Sequence, residues 1–96
     1  MIYVKIHNGP TRVIAICDEN LIGKTFKDNN LVLKIDEWFY KGDKKKKEEV
    51  AKIMKEAENL NIVGKESIEI ALEIHIIEKD SILVIKGVPH AQVVSS

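Results

Sequence analysis

Arginine occurs once in this chain, at Arg12, cysteine once, at Cys17, and proline twice, at Pro10 and Pro89. A single cysteine excludes an intramolecular disulfide and the multi-thiol zinc patterns, and it favours a reducing, cytoplasmic setting. His7, His75 and His90 are far apart in sequence, and with one thiol they make no close-spaced ligand pair, so neither a metal nor a cofactor is expected. No apolar run approaches the ~20 residues that span a bilayer. The segment from Met1 to Lys5 also lacks the layout of a signal peptide. Excess charge is missing too, with 15 basic residues against 15 acidic ones. No overall field therefore steers the chain to nucleic acid, RNA or DNA, or to an anionic membrane; no DNA partner is expected, and any polyanion contact must be local.

What is present is ordinary globular composition, 45% apolar and 31% charged over 96 residues, which suits one modest core and a single domain over residues 1–96. Ile2, Val4 and Ile6 alternate with Tyr3, Lys5 and His7 before Asn8-Gly9-Pro10, and a β-branched run follows to Cys17. That is a hairpin signature, and a turn centred on Gly9 would set Val4 opposite Ile14 and Ile2 opposite Ile16. Asp18 to Gly23 reads as a helical turn capped by the Asp18 carboxylate and closed by Gly23. Gly23-Lys24-Thr25 resembles the tail of a phosphate-binding loop, but the motif needs glycine where Asp18 stands.

Leu31 to Ile35 alternates as a third strand, and Asp36-Glu37-Trp38-Phe39-Tyr40 follows it. Trp38 and Phe39 are expected to pack under the next helix, since aromatics dominate burial in small domains. Asp43 suits the N-cap of a helix through about Asn59, with Val50, Ile53, Met54, Ala57 and Leu60 on one stripe. Lys44 to Lys47 would then crowd the first turn, where the helix dipole disfavours cations. A bound polyanion, with Trp38 or Tyr40 as a stacking surface, is one explanation of that local cost. A solvated lysine run is the other.

Asn61-Ile62-Val63-Gly64 breaks the pattern, and a second helix is expected from Lys65 to about His75 on propensity. Ile82 to Ile85 reads as a short central strand. Ile85-Lys86-Gly87-Val88-Pro89-His90-Ala91-Gln92 then makes a rigid corner able to aim His90 and Gln92. Val93-Val94 returns as a final strand or tail. The fold class expected is α+β: a small mixed or antiparallel sheet of four to five strands with two helices on it. Its order is an N-terminal β-hairpin, a third strand, two helices and C-terminal strands.

Several segments, taken in order, resemble one family: Cys17-Asp18-Glu19 leading to Leu21 and Gly23-Lys24, Phe39-Tyr40 with Gly42, Asn61 to Gly64, and the hexapeptide Gly87 to Gln92. They look like the archaeal family catalogued as domain of unknown function 424. Members usually carry glycine after the second helix, where this chain has His75, and the lysine run is not part of the resemblance. The resemblance implies a compact α+β cytoplasmic protein linked to RNA or translation, and it supplies no catalytic residue.

The candidate binding residues are Gly87, Pro89, His90 and Gln92 in the tail, Asp18 and Lys24 after the hairpin, and Trp38, Lys44 and Lys45. The function expected is an RNA- or translation-associated binding module, with RNA or the ribosome as partner. The alternatives are a small-ligand or enzymatic site around His90, with Gln92 or the amides near Gly87 as donors and Asp18 or Cys17 close by, and a protein-interaction domain using Val88 or the Val93-Val94 edge.

Overall fold

The computed structural model describes residues 1–94. Ile2–His7 (β1) and Val13–Asp18 (β2) form the antiparallel hairpin, and a 3-10 turn at Glu19–Leu21 leads to a second hairpin of Thr25–Asp28 (β3) and Leu31–Lys34 (β4). Glu37–Tyr40 is a one-turn helix (α1), started by Asp36, whose Oδ1 accepts from the Trp38 N–H at 2.8 Å. Asp43–Lys45 (β5) then pairs antiparallel with β1, ahead of the helix Lys47–Glu56 (α2). Leu60–Val63 (β6) lies parallel to β2 and feeds the helix Lys65–Glu73 (α3). Leu83–Ile85 (β7) and Val88–Val93 (β8) close the chain as a third hairpin, with β8 antiparallel to β6.

Six of the eight strands form one sheet in the order β5-β1-β2-β6-β8-β7, and β3-β4 form a second. Side chains alternate between faces along each strand. Ile14, Ile16, Leu60 and Ile62 face the two long helices, where Val50, Met54, Ile68 and Ala71 meet them. Ala15, Cys17 and Val63 face the other way, under Leu33, Ile35 and Tyr40. The central strands are therefore apolar on both faces, as strands covered twice must be. Among the described residues no helix is long and apolar enough to cross a membrane.

The α+β class expected from sequence holds, with eight strands and three α-helices among the described residues in place of four to five strands and two helices. The difference lies in β3, β5, β6 and α1, each only three or four residues long and too short to show a countable period; Asn61 to Val63, read as a break, belongs to β6. Four expectations are corrected. The hairpin sets Val4 opposite Ile16, and Ile14 opposite Ile6, because its loop spans residues 8–12; the shift is an even number of residues, so each side chain keeps its face. Asp43, Lys44 and Lys45 are not the first turn of a helix but an edge strand, and α2 begins after Lys46. The second helix ends at Glu73, and His75 adopts the left-handed conformation (φ 62) that glycine usually takes just past a helix. Ile82 to Ile85 is no central strand, since β7 is an edge with Val84 54% exposed.

Ile62 in β6 is wholly buried at the centre of the helix-facing cluster. Ile62→Ala is expected to destabilise the fold by about 2–5 kcal/mol, through lost transfer energy and the cavity left behind. Val84→Ala should stay within about 0.5–1 kcal/mol, and chemical denaturation of the two variants gives the comparison.

Candidate functional site

Strand alternation turns Asp18, the last residue of β2, toward the start of α3. The residue is 4% exposed, and its carboxylate accepts three hydrogen bonds, from the Glu66 N–H (3.0 Å), the Ser67 N–H (2.8 Å) and the Ser67 hydroxyl (2.6 Å). The expected cap on its own turn is absent: the Glu19–Leu21 turn receives no side-chain hydrogen bond from Asp18. A carboxylate here satisfies amides that the helix leaves without internal partners, and its charge suits the positive end of the dipole. Gly64 makes room for it. At φ 108 its backbone is one that other residues rarely adopt, and a Cβ there would stand 2.2 Å from the Asp18 Cγ. The Gly64 N–H donates to the Pro89 carbonyl at 2.9 Å, tying β8 to the same joint.

The tail corner is a two-residue hairpin turn. Lys86 (φ 51) and Gly87 (φ 78) both take positive φ, the geometry that follows strand twist, and Ile85 pairs with Val88 across it. Pro89 and His90 are consequently strand residues. His90 stands between Val63 of β6 and Leu83 of β7 and is half-buried, and burial lowers its pKa from the ordinary histidine value. No carboxylate hydrogen-bonds its ring among the described residues. Gln92 is exposed and donates to the Asn61 Oδ1 at 2.9 Å across β6 and β8.

Trp38 does not pack under a helix. It is 70% exposed on α1, which lies over the odd-numbered residues of β1. The His7 ring stacks on Phe39 with centroids 4.6 Å apart and tilts against Trp38 at 5.1 Å, while its Nε2 donates to the Phe39 carbonyl at 2.7 Å. Lys5 donates to the Trp38 carbonyl and holds its ammonium 5.2 Å from the indole centroid, within cation–π range. Phe39 itself packs against the second core cluster. Lys44 and Lys45 stand apart from this patch, with Lys44 paired to Glu19 at 2.7 Å and Lys45 near Glu49 at 3.8 Å.

The structure thus distributes the candidate residues over four places, one of them the edge strand β5 with Lys44 and Lys45. Asp18, Lys24, Gly87 and Pro89 border one open groove; His90 and Gln92 lie along β8; Trp38 heads the aromatic patch. Lys5 and His7 were not among the candidates, although the β1 alternation already placed Tyr3, Lys5 and His7 on one face. Among the described residues no group of three or more His, Cys, Asp or Glu side chains is placed to hold a metal ion.

Cys17 is fully buried below the joint, and its Sγ donates to the Asp18 carbonyl at 3.1 Å. Burial first, and the Asp18 charge second, push its thiol up from 9.0 to about 12; burial, then Cys17, pushes the Tyr40 hydroxyl from 10.0 to about 12. The unfolded chain loses these protons before the folded one does, so the stability held below pH 9 should fall as pH rises from 9.0 toward about 12. Denaturant midpoints measured across that range should show the fall, and it should be shallower in Cys17→Ala. At neutral pH, Asp18→Ala should orphan the donors at the start of α3 at roughly 1–3 kcal/mol each, read as a lower denaturation midpoint.

Comparison with known proteins places this geometry in context. A crystal structure of an uncharacterized conserved protein from Methanopyrus kandleri superposes with a TM-score of 0.81 at 29% identity, covering 99% of this chain and 93% of that one. No curated protein matches. The family model described as "Protein of unknown function (DUF424)" matches residues 7–95, a span that takes in the Asp18 joint, α1 and the Lys86-Gly87 turn. The chain belongs to that family.

Proposed function

We propose that this chain is an RNA-associated binding module that takes single-stranded RNA on the face carrying Trp38. The observation that carries the reading is the exposure of Trp38 at 70% beside a lysine. Fully burying a large apolar side chain contributes about 1.5–3 kcal/mol, and the fold forgoes most of that here. An indole held outward, with an ammonium 5.2 Å from its centroid and an imidazole tilted against it, offers a base a stacking surface and a phosphate a counter-charge. Register adds polar reach. Lys5 pairs with Ala15, Ala15 with Asn61 and Asn61 with Gln92, so the exposed Asn61–Gln92 amide pair shares a row and a face with Lys5. Amides at that position can hydrogen-bond base edges, which an unstacked single strand presents.

Lys44 and Lys45 recede in this reading because both ammoniums already have carboxylate partners. A neutral chain with few free cations in the patch should bind with a shallow salt dependence, near −0.7 in log K per phosphate engaged on a single strand.

Filter binding of short single-stranded RNA across salt tests this. Binding should be measurable at about 50 mM salt and fall with added salt. Trp38→Ala should weaken it by roughly 1–3 kcal/mol, about 5- to 150-fold, without altering stability beyond about 0.5 kcal/mol. Lys5→Ala should flatten the salt slope. Absence of binding at low salt, or full affinity in Trp38→Ala, overturns the reading, and co-sedimentation with ribosomes separates a ribosomal RNA target from a free one.

A further inference from the structure

At the carboxyl ends of the parallel strands β2 and β6 an open groove of about 680 Å³ runs between the Glu19–Leu21 turn, the start of α3 and the Lys86-Gly87 turn. Its volume lies in the range of about 300–1,000 Å³ usual for small-molecule sites, and the ends of parallel strands are where open α/β sheets place ligands. Leu21, Phe26, Val88 and Pro89 give it an apolar wall. Nothing comes within 4 Å of where a Cβ on Gly87 would sit, so the turn leaves the groove unobstructed on that side.

Charge decides what such a groove can hold. Lys24, Lys65 and Lys86 border it, and none of the three forms an ion pair among the described residues. Of the three carboxylates on the same lining, Asp18 is saturated by the α3 amides and the Ser67 hydroxyl. Glu19 is paired with Lys44 at 2.7 Å and with the N-terminal amine at 3.9 Å. Asp18 and Glu66 thus keep their negative charges without a cationic partner, against three ammoniums that have no ion pair among the described residues. The helix start contributes nothing to this balance, because Asp18 already occupies it.

We infer that the groove is a site for a small phosphomonoester with an apolar or planar body, of the nucleoside monophosphate class. The lysines take the phosphate as point charges, and the wall of Phe26, Leu21 and Pro89 takes the body. The Lys5–Trp38 patch contacts the far end of β1, whereas the groove includes Met1 at its near end. The two sites are therefore separable, and neither depends on the other.

Titration of the intact protein with AMP, adenosine and inorganic phosphate, followed by backbone amide NMR shifts, tests the assignment. AMP should give saturable shifts confined to the amides around Lys24, Lys65, Lys86 and Gly87, with a millimolar or tighter Kd. Adenosine alone and phosphate alone should each bind about tenfold more weakly or worse, since each uses half of the site. The double variant Lys24→Gln, Lys86→Asn should lose AMP binding about tenfold or more. Asparagine before Gly87 suits the positive φ of the turn, so the fold is kept. Trp38→Ala should leave the AMP titration unchanged, so failure of the RNA reading and failure of this one remain distinct. The inference is overturned by AMP shifts that fail to saturate by about 10 mM, by shifts centred on Trp38, by adenosine or phosphate binding as well as AMP, or by full affinity in the double variant.

Discussion

A carboxylate fills the mouth of a helix here, and the rest of the molecule is arranged to let it. Asp18 ends β2 on the helix-facing side, α3 begins opposite, and the hydrogen bonds between them join segments far apart in sequence. Without a side chain at residue 64 the carboxyl group can sit against the backbone, and the same residue is tied to β8 through the Pro89 carbonyl. A buried carboxylate is stable only when its lone pairs are satisfied, and this one is satisfied entirely by the chain's own donors. Its neighbours must therefore hold still. The anion-binding capacity of a helix start, which many proteins spend on phosphate, is spent on architecture.

With that position filled, interaction chemistry is displaced to the margins of the sheet. On the far face, α1 is a single turn and too short to bury both of its leading aromatics, so Phe39 turns inward and Trp38 is left outside. At the strand ends the lysines of a loop, a helix start and a turn border a space lined in part by apolar residues. The two sheet edges also differ. β5 shows aspartate and lysine, which blunt edge-to-edge pairing, whereas β7 shows Leu83 and Val84 and relies on being only three residues long.

How much of this could be read in the sequence depends on the range of the signal. The first hairpin, the β4 alternation and the apolar stripe of α2 are local patterns, and each was legible; Asn61 to Val63 read as a break, yet they belong to β6, whose partners β2 and β8 are remote in sequence. The lysine run was misleading: strong helix formers after Asp43 suggested an early helix start, yet Asp43 to Lys45 pair with Ile2, Tyr3 and Val4. That pairing is a tertiary choice that propensity does not encode. Asp18 was recognised as a cap but given to the adjacent turn, because a partner at residues 66 and 67 is visible only once β2 and β6 lie side by side. Trp38 was expected inside on the general tendency of aromatics. What contradicts that tendency is the brevity of α1, and a one-turn helix has no period to reveal it.

The parallel pairing of β2 with β6 has a kinetic meaning as well. All three hairpins close over short loops and can flicker into being early, yet none of them contains both partners of the central pair. Bringing Ile16 to Ile62 requires the intervening chain to surrender its freedom before the reward of a shared core arrives. Mixed α/β topologies with such long-range contacts fold more slowly than helical bundles of equal size. The pairing with the largest entropic cost of closure in the central sheet is therefore the β2–β6 seam, which cannot form until the chain from β2 through β6 is in place.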